Sequence, residues 1–93
     1  MRTFKRIFVD PKVVIRTLQR YTSRIDRLKE EIWQLERDGD FEEPQVLRKY
    51  KSLLNMEHDA EDEFGMAQSF AREWGLLSGD ELEEFLRDWE AGA

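Results

Sequence analysis

The sequence predicts an all-α fold, a small three-helix bundle made of a long antiparallel helical hairpin and a short third amphipathic helix. The hairpin covers about residues 11–38 and 44–75, and the third helix about 79–90. Two long stretches repeat apolar residues at alternating steps of three and four, the period of a helix that buries one face. The connection between them is short, which favours antiparallel packing. The third stretch has its own start signal and one apolar face.

The length of 93 residues allows one domain, so we expect a single helical domain over residues 1–93 with a thin core. Residues 1–10 form a basic arm whose mixed sequence favours neither a helix nor an extended segment. The chain has no cysteine and a single histidine, which excludes disulfides, thiolate metal sites and multi-histidine metal centres. We therefore expect no cofactor and no metal ion.

No stretch of the sequence is apolar enough for a signal peptide or a membrane span. The basic N-terminus is followed by the apolar run Ile7-Phe8-Val9, which stops at Asp10-Pro11 and is too short for a signal peptide. A spanning helix needs about 20 mostly apolar residues. We expect a cytoplasmic protein with no membrane contact.

The first helix begins with a capping signal, because Asp10 suits the N-cap and Pro11 the first helical position. Its apolar positions follow unbroken steps of four and three, the a/d seam of a coiled coil. No glycine or proline interrupts the pattern before Gly39, which suits the position after the last helical residue. The seam consists of Val14, Leu18, Tyr21, Ile25, Leu28, Ile32 and Leu35.

The second helix restarts at Pro44, again at a first helical position. Its seam keeps the same period and becomes rich in alanine in its second half. One seam position, Glu57, is polar. Gly65 lies inside this helix and costs about 1 kcal/mol relative to alanine, which makes it a candidate kink. The seam runs through Val46, Tyr50, Leu53, Glu57, Ala60, Phe64, Ala67, Ala71 and Trp74.

The third helix starts at Ser78, which forms a capping-box pattern with Glu81 three residues later. Its apolar residues share one face, and its other face is nearly all acidic. Such a helix either docks on its own hairpin or anchors in the groove of a partner. Docking is the simpler expectation, and it leaves a row of carboxylates facing outward. The apolar face consists of Leu82, Phe85, Leu86 and Trp89.

A parallel homodimer through the first seam is disfavoured by the flanking charges. It sets Arg24 against Lys29 and Glu31 against Glu36, both like-charged pairs. A monomer or an antiparallel homo-oligomer is expected instead.

If the chain reverses direction near residue 41, the two residues that face each other across the hairpin have numbers that sum to about 83. The pairs are Leu35 with Leu47 or Arg48, Ile32 with Tyr50, Leu28 with Leu54 and Leu18 with Phe64. The same register places three arginines of the first helix beside an acidic cluster of the second, so we expect partial neutralisation. The arginines are Arg20, Arg24 and Arg27, and the acidic cluster holds Glu57, Asp59, Glu61, Asp62 and Glu63.

The charge of the chain is strongly asymmetric. Residues 1–29 hold nine Lys/Arg and two Asp, a balance of +7, whereas residues 30–93 hold six Lys/Arg and 19 Asp/Glu, a balance of −13. Five cations lie along one side of the first helix over about 22 Å. We interpret this arginine ridge either as a contact strip for an acidic protein or for phosphates, or as a solvated face neutralised within the chain. It consists of Lys12, Arg16, Arg20, Arg24 and Arg27, and Arg2, Lys5 and Arg6 extend it.

Metal and catalytic motifs have little support. His58 and Asp62 lie one helical turn apart, a spacing that binds a divalent ion only weakly. A di-iron bundle needs Glu-x-x-His on facing helices, whereas position 55 is Asn and no second histidine exists. The sequence has no Gly-rich phosphate loop, nucleophile elbow or thiol nucleophile. We therefore expect a protein that is not an enzyme.

Residues 25–55 have a helical rhythm similar to that of the small sporulation-pathway aspartyl-phosphate phosphatases, which are helical hairpins. The Ser-Gln-Glu-Leu-Asp signature of that family is absent, because the corresponding stretch reads Tyr50-Lys51-Ser52-Leu53-Leu54. All-α chorismate mutases also use a long first helix, but their Arg and Lys positions do not align here. The chain is assigned to neither family, and a small helical enzyme or regulatory phosphatase is the weakest alternative.

The function that the sequence favours is a non-enzymatic interaction module, a small adaptor or inhibitor. We expect it to bind a protein partner through the arginine ridge and through the acidic face of the third helix, represented by Glu83, Glu84 and Asp88. The alternative is a nucleic-acid-binding protein that uses the arginine ridge alone.

Overall fold

The computed structural model describes residues 10–92 and folds them into three helices. Helix α1 comprises Pro11–Asp38, α2 Pro44–Glu73 and α3 Gly79–Gly92. α1 and α2 pack side by side, α3 lies against them, and the described residues contain no strand. The predicted all-α three-helix bundle is confirmed. The basic arm predicted at residues 1–10 falls outside the described residues, except for Asp10.

Both ends of α1 depend on residues that the sequence singles out. The Asp10 side chain accepts a hydrogen bond from the Lys12 backbone N–H at 2.8 Å, and Pro11 occupies the first turn. At the other end, the Gly39 N–H donates to the Leu35 carbonyl at 2.8 Å. Gly39 has a φ of −77°, so it lacks the left-handed conformation typical of this position. Glycine is needed there for space instead, since a Cβ would lie 2.5 Å from the Leu35 carbonyl oxygen.

The connection from α2 to α3 contains a left-handed glycine, Gly75, with φ 64°. The N–H groups of Gly75 and of the next residue donate to the Arg72 and Ala71 carbonyls, the pattern of a Schellman motif. The predicted capping box follows directly. The Glu81 N–H donates to the Ser78 hydroxyl at 3.1 Å, and the Ser78 N–H donates to the Glu81 carboxylate at 3.2 Å. α2 and α3 are thus joined by two defined local motifs.

The core follows the two predicted seams. Ile25 is 0% exposed and Ala60 is 1% exposed, at the centre of each seam. Glu57, the polar residue of the second seam, is half-buried. Thr22, which lies outside the predicted seam, is also buried, and its hydroxyl donates to a backbone carbonyl one turn earlier. The remaining core residues are Val14, Leu18, Leu28, Ile32, Leu53, Phe64, Ala71, Leu77 and Leu82.

The register of the hairpin differs from the prediction by about two residues. The ring of Phe64 packs against Tyr21, with centroids 6.4 Å apart, where the prediction set it against Leu18. Near the connection, the Tyr50 hydroxyl donates to a Glu36 carboxylate oxygen at 2.9 Å. The residue numbers of these pairs sum to 85 and 86. With a sum of 85, every position of the first seam faces a position of the second, and all of these pairs are apolar except Leu28 with Glu57. The match between the seams, rather than the midpoint of the connection, sets the register.

α3 docks on the hairpin through its apolar face, which is the first of the two arrangements expected from the sequence. Leu82 is 2% exposed, and the other apolar residues of this face pack partly buried against the core. The Trp89 ring meets Phe64 edge to face, with centroids 5.4 Å apart. Its indole N–H donates to the Asp26 carboxylate at 3.1 Å. α3 therefore contacts both helices of the hairpin.

Candidate interaction surface

The arginine ridge lies on the outside of α1. All five of its residues are exposed, and α1 is unbroken along their whole length. Four of them line one shallow groove of about 440 Å³, together with Gln19 and Ser23. The structure therefore brings most of the ridge into a single continuous surface. The four groove residues are Arg16, Arg20, Arg24 and Arg27.

The expected neutralisation of the ridge by the acidic cluster is wrong for the described residues. In residues 10–92, one ion pair joins α1 to α2, between Lys29 and Glu61 at 3.5 Å, and Lys29 is not part of the ridge. Within the same range, Arg37 pairs with its neighbour Asp38 at 3.4 Å, and His58 lies 3.7 Å from Asp62 one turn further along α2. No side-chain nitrogen of the ridge lies within 4.0 Å of a described carboxylate oxygen.

The geometry of α1 explains why the ridge stays uncovered. A helix of 3.6 residues per turn presents distinct faces to different neighbours. Seam residues such as Ile25 face α2, and Asp26, about a quarter of a turn away, faces α3 through Trp89. The four arginines of the ridge occupy the remaining part of the circumference, at least about 80° from both contacts, and Arg20 lies about 140° from Ile25 and about 120° from Asp26. They project into solvent because neither α2 nor α3 packs on that side.

The acidic cluster of α2 is organised around Lys29 instead. Burial raises the pKa of Glu57, and a hydrogen bond with Glu61 raises it further. The same hydrogen bond holds the pKa of Glu61 below its ordinary value, against a smaller opposing effect of burial, and Lys29 adds to the lowering. Two carboxyl groups that hydrogen-bond to each other and one lysine therefore form a local network apart from the ridge.

The acidic face of α3 is exposed, but the structure does not bring it to the ridge. Glu83, Glu84 and Asp88 all have exposed side chains. No ion pair joins α3 to α1 in residues 10–92, where the polar contact between them is the Trp89–Asp26 hydrogen bond. The apolar face of α3 is used within the bundle. The carboxylates are therefore the part of α3 that a partner can reach.

One surface feature escapes the sequence prediction, an apolar groove at the open end of the hairpin. The groove lies between α1 and α2, has a volume of about 200 Å³, and is lined by Val13, Thr17, Ala67 and Phe70 among others. Val13 is 52% exposed. The signal in the sequence is that Val13 and Phe70 are large apolar residues off the two seams, at the same end of the hairpin.

Two kinds of site are absent from the part of the chain that the structure describes. No group of three or more histidine or carboxylate side chains lies close enough together to hold a metal ion, and His58 is 3.7 Å from Asp62. None of the three helices combines the length and the apolar character that crossing a membrane requires.

Comparison of the chain with protein-family models, with curated proteins and with solved structures gives no match. No relative therefore assigns a role to the arginine ridge, the acidic face or the apolar groove.

Proposed function

We propose that this protein is a non-enzymatic helical interaction module, a small adaptor or inhibitor that binds an acidic surface of a protein partner. The arginine ridge makes the main contact, and the acidic face of α3 makes a second one. One observation carries the proposal. The ridge places four exposed arginines along one groove, and none has a carboxylate within 4.0 Å in residues 10–92.

The chemistry of arginine supports a binding role. A guanidinium presents a planar set of donors that pairs with a carboxylate through two hydrogen bonds at once. The spacing of the ridge is held by a helix of 28 residues packed against α2, so little backbone ordering is needed when a partner binds. Binding surfaces gain affinity from such preorganisation.

The charge distribution favours a protein over a nucleic acid. The chain carries a net charge of −6, and the acidic cluster and the acidic face both repel a phosphate backbone that extends beyond the ridge. A protein partner with mixed charge can meet the ridge and the acidic face together. A nucleic acid is the second candidate, because cations that are spaced over about 22 Å of helix and pair with no described carboxylate also suit a phosphate backbone.

The test is capture of partners from the source cell by two charge-matched variants. The ridge variant combines Arg16→Ala, Arg20→Ala and Arg24→Ala, and the control combines Lys49→Ala, Lys51→Ala and Arg72→Ala, which are exposed cations of α2. We expect the ridge variant to lose the protein partner that the wild type and the control retain. Equal capture by all three proteins contradicts the proposal.

A mobility-shift assay with duplex DNA and single-stranded RNA separates the two candidates. The protein proposal predicts no shift at about 50 mM salt. A shift that falls steeply with salt and disappears in the ridge variant favours the nucleic-acid alternative instead.

A further inference from the structure

The apolar groove and the arginine ridge form one continuous surface. Val13 and Thr17 line the groove on the α1 side, and Arg20 and Arg24 line the ridge. These four positions follow steps of four, three and four, so they lie on a single stripe of α1. A ligand that fills the groove and continues along the helix therefore passes over the two arginines.

The groove suits one large apolar side chain. Its volume of about 200 Å³ exceeds that of an engineered apolar cavity of roughly 150 Å³ that holds a benzene ring. The Thr17 hydroxyl does not need a hydrogen-bond acceptor from a ligand, because it already donates to the Val13 carbonyl at 2.9 Å. The remaining groove-lining side chains are apolar: Val13, Val14, Leu18, Ala67, Phe70, Ala71 and Leu76.

Charge on the two flanks of the groove gives a ligand its orientation. The α1 flank continues into Arg20 and Arg24. On the other side of Phe70, a neighbouring depression of α2 is lined by Asp62 and Glu73 among others. Carboxylates of a ligand are therefore attracted to the α1 side and repelled from the α2 side.

We propose that the partner segment is an acidic amphipathic helix, which seats one apolar side chain in the apolar groove beside Val13 and Thr17 and places carboxylates on Arg20 and Arg24. The inference rests on the proposed function and specifies the partner. Arg20 and Arg24 lie about 4.5 and 10.5 Å beyond Thr17 along the axis. A helix running parallel to α1 matches these distances with acids three and seven residues after its apolar anchor.

Three synthetic helical peptides in an Ala/Gln background serve as probes. The first has a Phe anchor with Glu three and seven residues later. The second has Gln in place of the Phe, and the third has Lys in place of both Glu. Binding is followed by NMR titration of the full chain, in which amide shifts at Val13, Thr17 and Ala67 report on the groove. We expect the first peptide to bind, the second to bind about tenfold more weakly, and the third not to bind.

Two protein variants locate the contact. Val13→Glu places a carboxylate in the groove, and the change is tolerated because Val13 is 52% exposed in the first turn of α1, where negative charge is favoured. Trp33→Glu is the control, an exposed apolar residue of α1 outside the groove. We expect Val13→Glu to weaken the first peptide about tenfold and Trp33→Glu to leave its affinity unchanged. Circular dichroism verifies that both variants are folded.

The failure of this inference is distinguishable from the failure of the proposed function. If the first two peptides bind equally and both lose affinity when Arg20 and Arg24 are changed to Ala, the groove inference is overturned and the proposed function stands. If neither acidic peptide binds although the ridge variant loses the partner that the wild type captures, the groove inference is overturned and the proposed function stands. Equal capture by the wild type, the ridge variant and the control overturns the proposed function.

Discussion

The indole N–H of Trp89 lies 3.1 and 3.2 Å from the two carboxylate oxygens of Asp26, and this hydrogen bond ties α3 to the middle of α1. The Trp89 ring also packs on Phe64 of α2. One side chain thus links all three helices. α3 has 14 residues, a length at which an isolated helix is marginal in water. Its stability therefore depends on this docking.

Trp89→Ala is expected to lower the free energy of unfolding by about 2–3 kcal/mol, because it removes both the ring contact and the hydrogen bond. Trp89→Phe keeps a ring on Phe64 and loses only the N–H donor, so we expect a loss of about 1 kcal/mol. Urea unfolding followed by circular dichroism measures both values. Equal losses for the two variants contradict a packing role for the ring.

Ala60 is 1% exposed at the centre of the hairpin. Ala60→Leu forces extra atoms into a filled core, and we expect it to cost about 1–3 kcal/mol. Ala91→Leu is the matched control, because Ala91 is exposed near the end of α3 and the same change there stays within about 0.5 kcal/mol. Thermal denaturation compares the two. A neutral Ala60→Leu contradicts the register in which the two seams coincide.

Replacing glycine by alanine is expected to have opposite effects on stability at Gly65 and at Gly75. Gly65 lies inside α2 with open space around the Cβ position, so Gly65→Ala is expected to stabilise the protein by about 1 kcal/mol. Gly75 has φ 64°, so Gly75→Ala is expected to cost about 1 kcal/mol or more. Chemical denaturation decides the signs. Destabilisation by Gly65→Ala contradicts an unbroken α2.

The helix boundaries were predictable because each depends on local chemistry. Asp10, Pro44 and the pair of Ser78 and Glu81 act within a few residues of their own positions. The hairpin register was not predictable from the midpoint of the connection, because it depends on matching two seams over their whole length. The backbone conformations of two glycines were not predictable for the same reason. Gly75 is left-handed and Gly39 is extended, although both follow a helix, because their conformations depend on their surroundings and not on residue type.

The candidate site was predictable in part. Helical periodicity alone places the arginine ridge on one side of α1. Its separation from the acidic cluster follows from the same periodicity, because Arg20 lies about 140° around the helix from Ile25, which faces α2. The side of α1 that α3 covers is decided by the Trp89–Asp26 contact, which spans 63 residues of sequence. No local pattern reports such a contact. The apolar groove likewise requires Val13 and Phe70 to come together from two helices.

Glu57→Gln is expected to stabilise the protein near neutral pH. The pKa of Glu57 is raised in the folded protein, first by burial and then by its hydrogen bond with Glu61. Folding therefore favours the protonated form, and this contribution is complete below the ordinary pKa of 4.5 and lost as pH rises through the raised value. Gln keeps a donor for Glu61 at every pH. We expect a gain of less than about 1 kcal/mol at about pH 7, which disappears at about pH 4.

The control for this pH dependence is Glu63→Gln, the same change at an exposed position of α2. Urea unfolding at both pH values compares the variants. Glu61 responds in the opposite sense, since its pKa is lowered and its contribution is lost as pH falls through the lowered value. An equal gain for both variants at neutral pH shows that relief of general negative charge, and not the Glu57–Glu61 contact, is responsible.

Arg20→Ala is expected to raise the free energy of unfolding by about 0.5 kcal/mol. Arg20 lies four residues from both Arg16 and Arg24, and like charges at this spacing destabilise a helix by about 0.2–0.5 kcal/mol per pair. No described carboxylate within 4.0 Å offsets this repulsion. Arg72→Ala is the control, because Arg72 lies in the last turn of α2, where a cation is favoured, and we expect no gain there. Thermal and urea unfolding at low salt measure both variants.

The sign of the Arg20→Ala effect bears on function. A residue that destabilises its own helix and pairs with no carboxylate among residues 10–92 is what a binding surface requires, since stability and function commonly conflict at such positions. The gain in stability should shrink as salt screens the repulsion between the arginines, whereas loss of partner capture in the ridge variant should persist at every salt concentration at which the wild type binds. If Arg20→Ala instead destabilises the protein by 1 kcal/mol or so, the ridge has an intramolecular partner, and the case for a free binding surface is lost.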